Sequence, residues 1–172
     1  LRREQILQPD LMLRDSVLFS NLMKDYAGDF ELELEFTPDP VVERVGFTLL
    51  NEEGDSLPVY LDMKQGRVVM DRTRSGITDF GERESGDWRQ REGLNYHNDF
   101  ALSTWAPLEL CVRRSYRLRL FIDRSLAELF VEDGRIAMTN LIFPHSPYTS
   151  LRLFSEGGKT KVTHFRLYHL SL

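Results

Sequence analysis

The chain has 172 residues, of which 41% are hydrophobic and 28% are charged, and its formal net charge at pH 7 is −5. This composition is typical of one folded globular domain and excludes a disordered or low-complexity chain. The acidic balance argues against nucleic acid as the main partner, and no apolar run reaches the ~18 residues that a membrane span requires.

The predicted elements, in chain order, are almost all strands. In DFELELEF, residues 29–36, Phe and Leu alternate with Glu, which predicts a strand with one buried and one solvated face. Turn signals then recur at spacings of roughly 8–12 residues, as in antiparallel sandwiches and barrels. We predict further strands at residues 44–50, 58–63, 66–72, 108–114, 116–123, 126–133, 135–143, 150–156 and 161–172. Residues 1–172 are therefore expected to form a single all-β domain, an antiparallel two-sheet β-sandwich of the jelly-roll or concanavalin-like type.

Two segments do not follow this pattern. In residues 5–27, Leu11, Leu18 and Leu22 would fit one face of a helix, whereas Val17 and Phe19 would fit a strand. Residues 73–106 form a long polar stretch with scattered aromatic residues. A connection of that length is usually functional or mobile, or contains short strands of its own.

Residues 117–144, RLRLFIDRSLAELFVEDGRIAMTNLIFP, are predicted to form a three-stranded meander. Asp133-Gly134 is a strong hairpin signal, because a type I′ turn needs positive φ at both central residues. The predicted inward-facing residues of the first two strands are Leu118, Leu120, Ile122, Ala127, Leu129 and Val131.

Asp123 and Glu128 stand out in this apolar stretch and admit two interpretations. A retaining glycosidase needs two carboxyl groups about 5–5.5 Å apart in a cleft, and a short turn could bring these two close. Alternatively, Asp123 caps a turn and Glu128 pairs across the ladder, as charged residues on a sheet commonly do. The sequence predicts no cleft around them, so the structural interpretation is preferred.

The same stretch resembles the C-terminal β-sandwich module of glycoside hydrolase family 32, the family of invertases, levanases and inulinases. The module's motifs are present in order between roughly residues 30 and 170, and we interpret them as structural. They are Gly46-Phe47, Asp71-Arg72, Ser75-Gly76, Asp123-Arg124-Ser125, Glu128, Phe130-Val131, Asp133-Gly134, Thr139 and Phe143-Pro144.

This resemblance implies a non-catalytic accessory module of a fructan or sucrose hydrolase. In the family, catalysis belongs to an N-terminal five-bladed propeller with Asn-Asp-Pro, Arg-Asp-Pro and Glu-Cys motifs, and none of the three occurs here. No catalytic residue can therefore be assigned. The implied partners are the propeller of the same parent chain and fructan or sucrose-type glycans, without a cofactor. The compartment of this chain is not assigned, and for the parent a periplasmic or secreted location is preferred to a cytoplasmic one.

The alternative function is that of a free-standing carbohydrate-binding module. Aromatic side chains commonly stack on sugar rings, and the candidates here are Trp88, Tyr96, Trp105 and Tyr148. These residues could equally pack the long loop onto the sheet.

If a propeller is missing, its docking surface should leave an apolar patch exposed. We expect Ile6, Leu7, Leu11 and Leu13 to contribute, with Phe143 and Tyr148 as a weaker candidate area. The alternative is that the N-terminal residues fold back and complete the core of the sandwich.

For the remaining residues of interest, the sequence predicts structural roles rather than catalytic or metal-binding ones. The single cysteine, Cys111, lies in an alternating segment and is expected to be a small core residue. The four histidines are scattered, and the acidic residues of 71–87 lack a fixed calcium-ligand spacing, so no metal site is predicted.

Overall fold

The computed structural model describes residues 2–79, 100–110 and 115–170, with the side chains of residues 2–9 left out. Its regular elements are twelve β-strands: β1 (Arg2–Leu13), β2 (Ser16–Phe19), β3 (Asp29–Pro38), β4 (Arg44–Leu50), β5 (Ser56–Asp62), β6 (Arg67–Asp71), β7 (Ser103–Pro107), β8 (Tyr116–Asp123), β9 (Leu126–Val131), β10 (Ile136–Leu141), β11 (Ser150–Glu156) and β12 (Thr160–Leu170). Within these ranges no helix is long and apolar enough to cross a membrane.

The strands form two six-stranded antiparallel sheets, which confirms the predicted sandwich. Sheet A has the order β1-β12-β3-β8-β9-β10, and sheet B has the order β2-β11-β4-β5-β6-β7. Each sheet buries one face against the other, because side chains alternate between the faces of a strand. The predicted inward-facing residues of β3, β8 and β9 are all buried in this core.

The N-terminal residues form strands, which resolves the ambiguity of residues 5–27. β1 pairs antiparallel with β12 at the edge of sheet A, and β2 pairs with β11 at the edge of sheet B. Leu13 is fully buried, so the prediction that it is exposed was wrong, and Leu11 is half-buried and packs against the core. The side chains of Ile6 and Leu7 lie outside the described residues. At this edge, the described residues favour completion of the core over an orphaned docking patch.

One predicted alternative for the long polar segment is confirmed, and one predicted strand differs at its start. The polar segment contains a short strand, β7, which pairs with β6 through register partners such as Trp105 and Val69. The predicted strand at 108–114 is not formed at residues 108–110, and residues 111–114, including Cys111, lie outside the described ranges. β7 is an edge strand, and none of its five residues is fully buried.

The meander is formed as predicted. β8 pairs with β9 and β9 pairs with β10, and the turn at Asp133-Gly134 has positive φ at both residues, 57° and 90°. The amide of Arg135 donates to the carbonyl of Glu132, which closes the turn. Glu132 also has positive φ, a feature that the sequence did not predict.

Candidate functional sites

Four of the nine family-type motifs meet at one end of the sandwich. This end, called the motif end below, comprises residues 51–55, 71–77, 123–125 and 142–149. It joins the two sheets: the guanidinium Nη1 of Arg72, after β6, donates to the carbonyl of Leu141 in β10, at 3.3 Å. The backbone amide of Ile142 donates to the carbonyl of Ser125 at 2.8 Å. The motifs therefore connect sheet A to sheet B across the open end of the core.

Gly76 shows why a glycine is needed at this junction. Its φ is +150°, and a Cβ atom at this position would lie 2.1 Å from the carbonyl oxygen of Phe143. The next amide, of Ile77, donates to that same oxygen at 2.7 Å. A side chain at residue 76 would push apart two segments that the hydrogen bond holds together. Ser75-Gly76 and Phe143-Pro144 are thus one structural unit, although they lie far apart in sequence.

Ser75 and Tyr148 complete this junction inside the core. The Ser75 hydroxyl donates to the carbonyl of Arg72, and the Tyr148 hydroxyl donates to the carbonyl of Ser75. Tyr148 is only 1% exposed, and burial raises the pKa of its phenol far above the ordinary value. It cannot stack on a sugar or mark an exposed patch, and its contact with Ser75 agrees with the other interpretation, in which it packs the start of the long segment onto the sheet. Phe143 is half-buried and lines a groove at the motif end.

A second polar cluster at the motif end contains Asn51, Asp55 and His145. The Asp55 carboxylate accepts from the side-chain amide of Asn51 at 2.8 Å and from the backbone amide of His145 at 2.7 Å. The His145 Nδ1 lies 2.9 Å from the same carboxylate. Burial raises the pKa of Asp55, but hydrogen bonds from Asn51 and His145 and the charge of the imidazole outweigh burial, so the pKa lies below its usual value. This cluster fixes two loops to each other.

Asp123 and Glu128 lie on the outer, solvent-facing side of sheet A. Asp123 is the register partner of Leu126, and Glu128 that of Phe121, so the two carboxyl-bearing residues are diagonal neighbours on one face. Diagonal positions on a sheet are separated by about 7–8 Å. Asp123 is exposed, and neither residue is among those lining the groove on this face. The arrangement favours the structural interpretation.

The groove on the outer face of sheet A has a volume of about 650 Å³. Its lining includes Phe121 and Phe130 beside two arginines, Arg117 and Arg119. Arg117 pairs with Glu35 at 3.0 Å, and Arg119 pairs with Glu31 and Glu33. Cross-strand pairs of opposite charge stabilise a sheet modestly. These arginines are therefore occupied by neighbouring carboxylates.

The predicted aromatic candidates have different outcomes. Trp88 and Tyr96 lie outside the described residues. Trp105 lies in β7 on the outer face of sheet B and is 52% exposed, although the guanidinium of Arg67 lies 3.9 Å from its ring centroid. Trp105 thus remains an accessible aromatic surface.

Sequence reasoning missed two aromatic residues on this same outer face, Tyr60 in β5 and Phe154 in β11. Their ring centroids are 6.2 Å apart, and both rings are half-buried. Burial raises the pKa of Tyr60, and the nearby carboxylates of Asp71, Asp62 and Glu156 raise it as well, against the charge of Arg44. The alternation within each strand places these rings on the solvated face, but the sequence does not reveal that β5 and β11 flank the same strand.

The histidines do not form a metal centre in the part of the chain that is described. His169 stacks on Tyr26 at 4.7 Å, and His164 lies at an irregularity of β12, where its φ is +51°. Among the residues whose placement is described, no three His, Cys, Asp or Glu side chains are grouped so as to hold a metal ion.

The comparisons with known proteins identify the class of module. The family described as "Glycosyl hydrolases family 32 C terminal" matches residues 6–169. A levanase of Bacillus sp. (strain L7) is 30% identical over 153 residues, which is 87% of this chain and 15% of the levanase. A levanase of Bacillus subtilis (strain 168) is 27% identical over 152 residues, and a raffinose invertase of Escherichia coli is 27% identical over 135 residues. The chain spans less than a quarter of the length of each of these three relatives.

Solved structures show the same fold. The exo-inulinase from Aspergillus awamori superimposes with a TM-score of 0.70 at 22% identity, covering 99% of this chain and 29% of the exo-inulinase. The β-fructofuranosidase from Aspergillus kawachii superimposes with a TM-score of 0.69 at 17% identity, covering 100% of this chain and 28% of that enzyme. The fold and motifs define an all-β sandwich module of a glycosidase family. The chain belongs to glycosyl hydrolases family 32, as the C-terminal domain of that family.

Proposed function

We propose that this chain is the non-catalytic accessory module of a fructan- or sucrose-hydrolysing enzyme, and that it stabilises a catalytic propeller in the same parent chain. The observation that carries the proposal is the match of residues 6–169 to the C-terminal domain of the family. Relatives in which this region is a minor part are named levanase and raffinose invertase. In this proposal, hydrolysis depends on residues outside the 172 of this chain.

The geometry of the acidic residues supports the non-catalytic role. Asp123 and Glu128 occupy diagonal positions on an open sheet face, and the buried carboxylate Asp55 is occupied by hydrogen bonds from Asn51 and His145. A general acid in a glycosidase needs a site that holds the sugar against both carboxyl groups. Neither arrangement provides one.

The test has two arms. The isolated chain is assayed for reducing-sugar release from sucrose, levan and inulin, with Glu128→Gln as the matched control, and we expect no release above a heat-killed sample. The parent enzyme is then prepared with and without the module, and deletion should lower the melting temperature of its catalytic domain. Release that Glu128→Gln abolishes would contradict the non-catalytic role. An unchanged melting temperature would contradict the stabilising role.

A second candidate function is glycan binding through aromatic residues. The exposed Trp105 on the outer face of sheet B favours it. In this case the module would hold polymeric substrate near the catalytic domain.

A further inference from the structure

Five residues form an apolar row across the outer face of sheet B. Phe154, Gly46, Tyr60, Val69 and Trp105 are successive register partners on β11, β4, β5, β6 and β7. Neighbouring strands are spaced by about 4.7–4.9 Å, so the row extends for roughly 19 Å. Its neighbours along each strand, such as Phe47 and Val59, point into the core and are fully buried. The row is therefore a surface feature, separate from the core.

Gly46 allows the rings of this row to meet. A Cβ atom at Gly46 would lie 2.1 Å from the carbonyl oxygen of Val59, so β4 and β5 approach closely here. Because Gly46 has no side chain, the rings of Phe154 and Tyr60 face each other across it, with centroids 6.2 Å apart. The result is a shallow apolar floor, with Trp105 at its far end.

Charged and polar side chains border this floor on both sides. On one side, Glu156, Arg44, Asp62 and Arg67 are successive register partners. On the other side, Arg152 is the register partner of Thr48, and Asp71 lies nearby at the end of β6. Tyr60, Phe154 and residues from both borders line a groove of about 380 Å³. That volume lies within the range of about 300–1,000 Å³ that is usual for small-molecule sites.

The chemistry of this surface selects a class of ligand. A flat apolar stripe suits a ligand with an apolar face, and borders of both charge signs offer hydrogen-bond donors and acceptors without a strong net charge. The carboxylates of Glu156 and Asp71 would repel a polyanion. The charged side chains on both borders would disfavour contact with a lipid surface. A neutral oligosaccharide fits, because its rings present apolar faces and its edges carry hydroxyl groups. We infer that the outer face of sheet B binds a neutral oligosaccharide, which lies along the row from Phe154 to Trp105.

This site specifies where the second candidate function, glycan binding, would take place. It rests on the proposed function only in the choice of fructans as probes. Trp105 stacks on one sugar ring, and Tyr60 and Phe154 form the floor under another. Arg44, Arg152 and Asp71 exchange hydrogen bonds with the hydroxyl groups. Trp105 is exposed and Tyr60 is half-buried on the face that points away from the core, so their removal should leave the core intact.

The experiment titrates the chain with levan- and inulin-derived oligosaccharides, with cello-oligosaccharides as a specificity control. The chain has two tryptophans, so the titration is repeated with Trp105→Phe to show how much of the fluorescence change comes from Trp105. We expect a saturable fluorescence change with a fructan, confirmed by calorimetry. Trp105→Ala and Tyr60→Ala, followed by calorimetry, should each raise Kd by about tenfold, the upper end expected for one aromatic contact. Trp105→Phe should restore part of the affinity. Phe121→Ala, a half-buried aromatic residue on sheet A, is the matched control and should leave Kd unchanged.

Three outcomes would overturn the inference. One is the absence of saturable fructan binding at millimolar concentration. Another is a row variant that keeps its fold, judged by its urea midpoint, and binds like the wild type. The third is that row variants do not alter glycan binding but lower the melting temperature of the parent enzyme, which would identify the row as a docking surface for the catalytic domain. In that third case the proposed function survives and only the glycan site fails.

Discussion

Gly76→Ala should destabilise the domain strongly, because residue 76 and Phe143 are in backbone contact. A Cβ atom at residue 76 would lie 2.1 Å from the carbonyl oxygen of Phe143 and 2.4 Å from the Cα of Pro144. Both contacts are with backbone, so no side-chain rotation can relieve them. The two segments must separate, which also weakens the 2.7 Å hydrogen bond from Ile77 to Phe143.

The magnitude can be built from three contributions. Overpacking costs roughly 1–3 kcal/mol, loss of the hydrogen bond costs about 1 kcal/mol, and a non-glycine residue at positive φ costs about 1 kcal/mol. The free energy of unfolding should therefore fall by about 4 kcal/mol. With a urea m-value of about 2 kcal/mol/M for a domain of this size, the midpoint should fall by about 2 M.

Gly54→Ala is the matched control. Gly54 also has positive φ, +87°, but no atom lies within 4 Å of a Cβ built there. Gly54→Ala should therefore lower the free energy of unfolding through backbone strain alone, by about 1 kcal/mol, and the urea midpoint should fall by about 0.5 M. Equal midpoints for the two variants would refute the reasoning, since they would show that the contact with Phe143 contributes nothing beyond φ.

Three further predictions concern individual interactions. Gly134→Val should lower the free energy of unfolding, measured by urea titration, by about 1 kcal/mol or more. The turn has open space around it, but a β-branched residue disfavours φ near +90°. An unchanged urea midpoint would mean that the turn tolerates valine. Tyr148→Phe should lower the free energy of unfolding by about 1 kcal/mol in the same assay, since it leaves the Ser75 carbonyl without the buried hydroxyl that donates to it. An unchanged midpoint would contradict this role of the hydroxyl. For Asp55, the folded-state pKa lies below the unfolded one, so its contribution is present above the unfolded pKa and is lost as the pH falls through the folded pKa. Below about pH 4, the unfolding free energy of the wild type should therefore decline more steeply than that of Asp55→Asn, and parallel pH profiles would contradict the role of the cluster.

The sequence by itself determined the local geometry. Alternation at residues 29–36 and 116–131 identified both the strands and their buried faces, because side chains point to opposite faces at every second position whatever the partner strand is. Asp133-Gly134 identified its turn, since the demand for positive φ is a property of the local backbone. The motifs between residues 46 and 144 identified the family, which the match to residues 6–169 confirmed.

Only the tertiary structure decided which distant segments meet. Strand pairing is made by hydrogen bonds between residues far apart in sequence, and no local pattern encodes the partner. Leu13 was expected at the surface, but pairing of β1 with β12 directs it into the core. The row from Phe154 to Trp105 exists only because five strands align in register, and Gly76 is needed only because Phe143 folds back against it. Both features arise from contacts between segments that lie far apart in sequence. The periodicity of side chains along the chain does not predict such contacts.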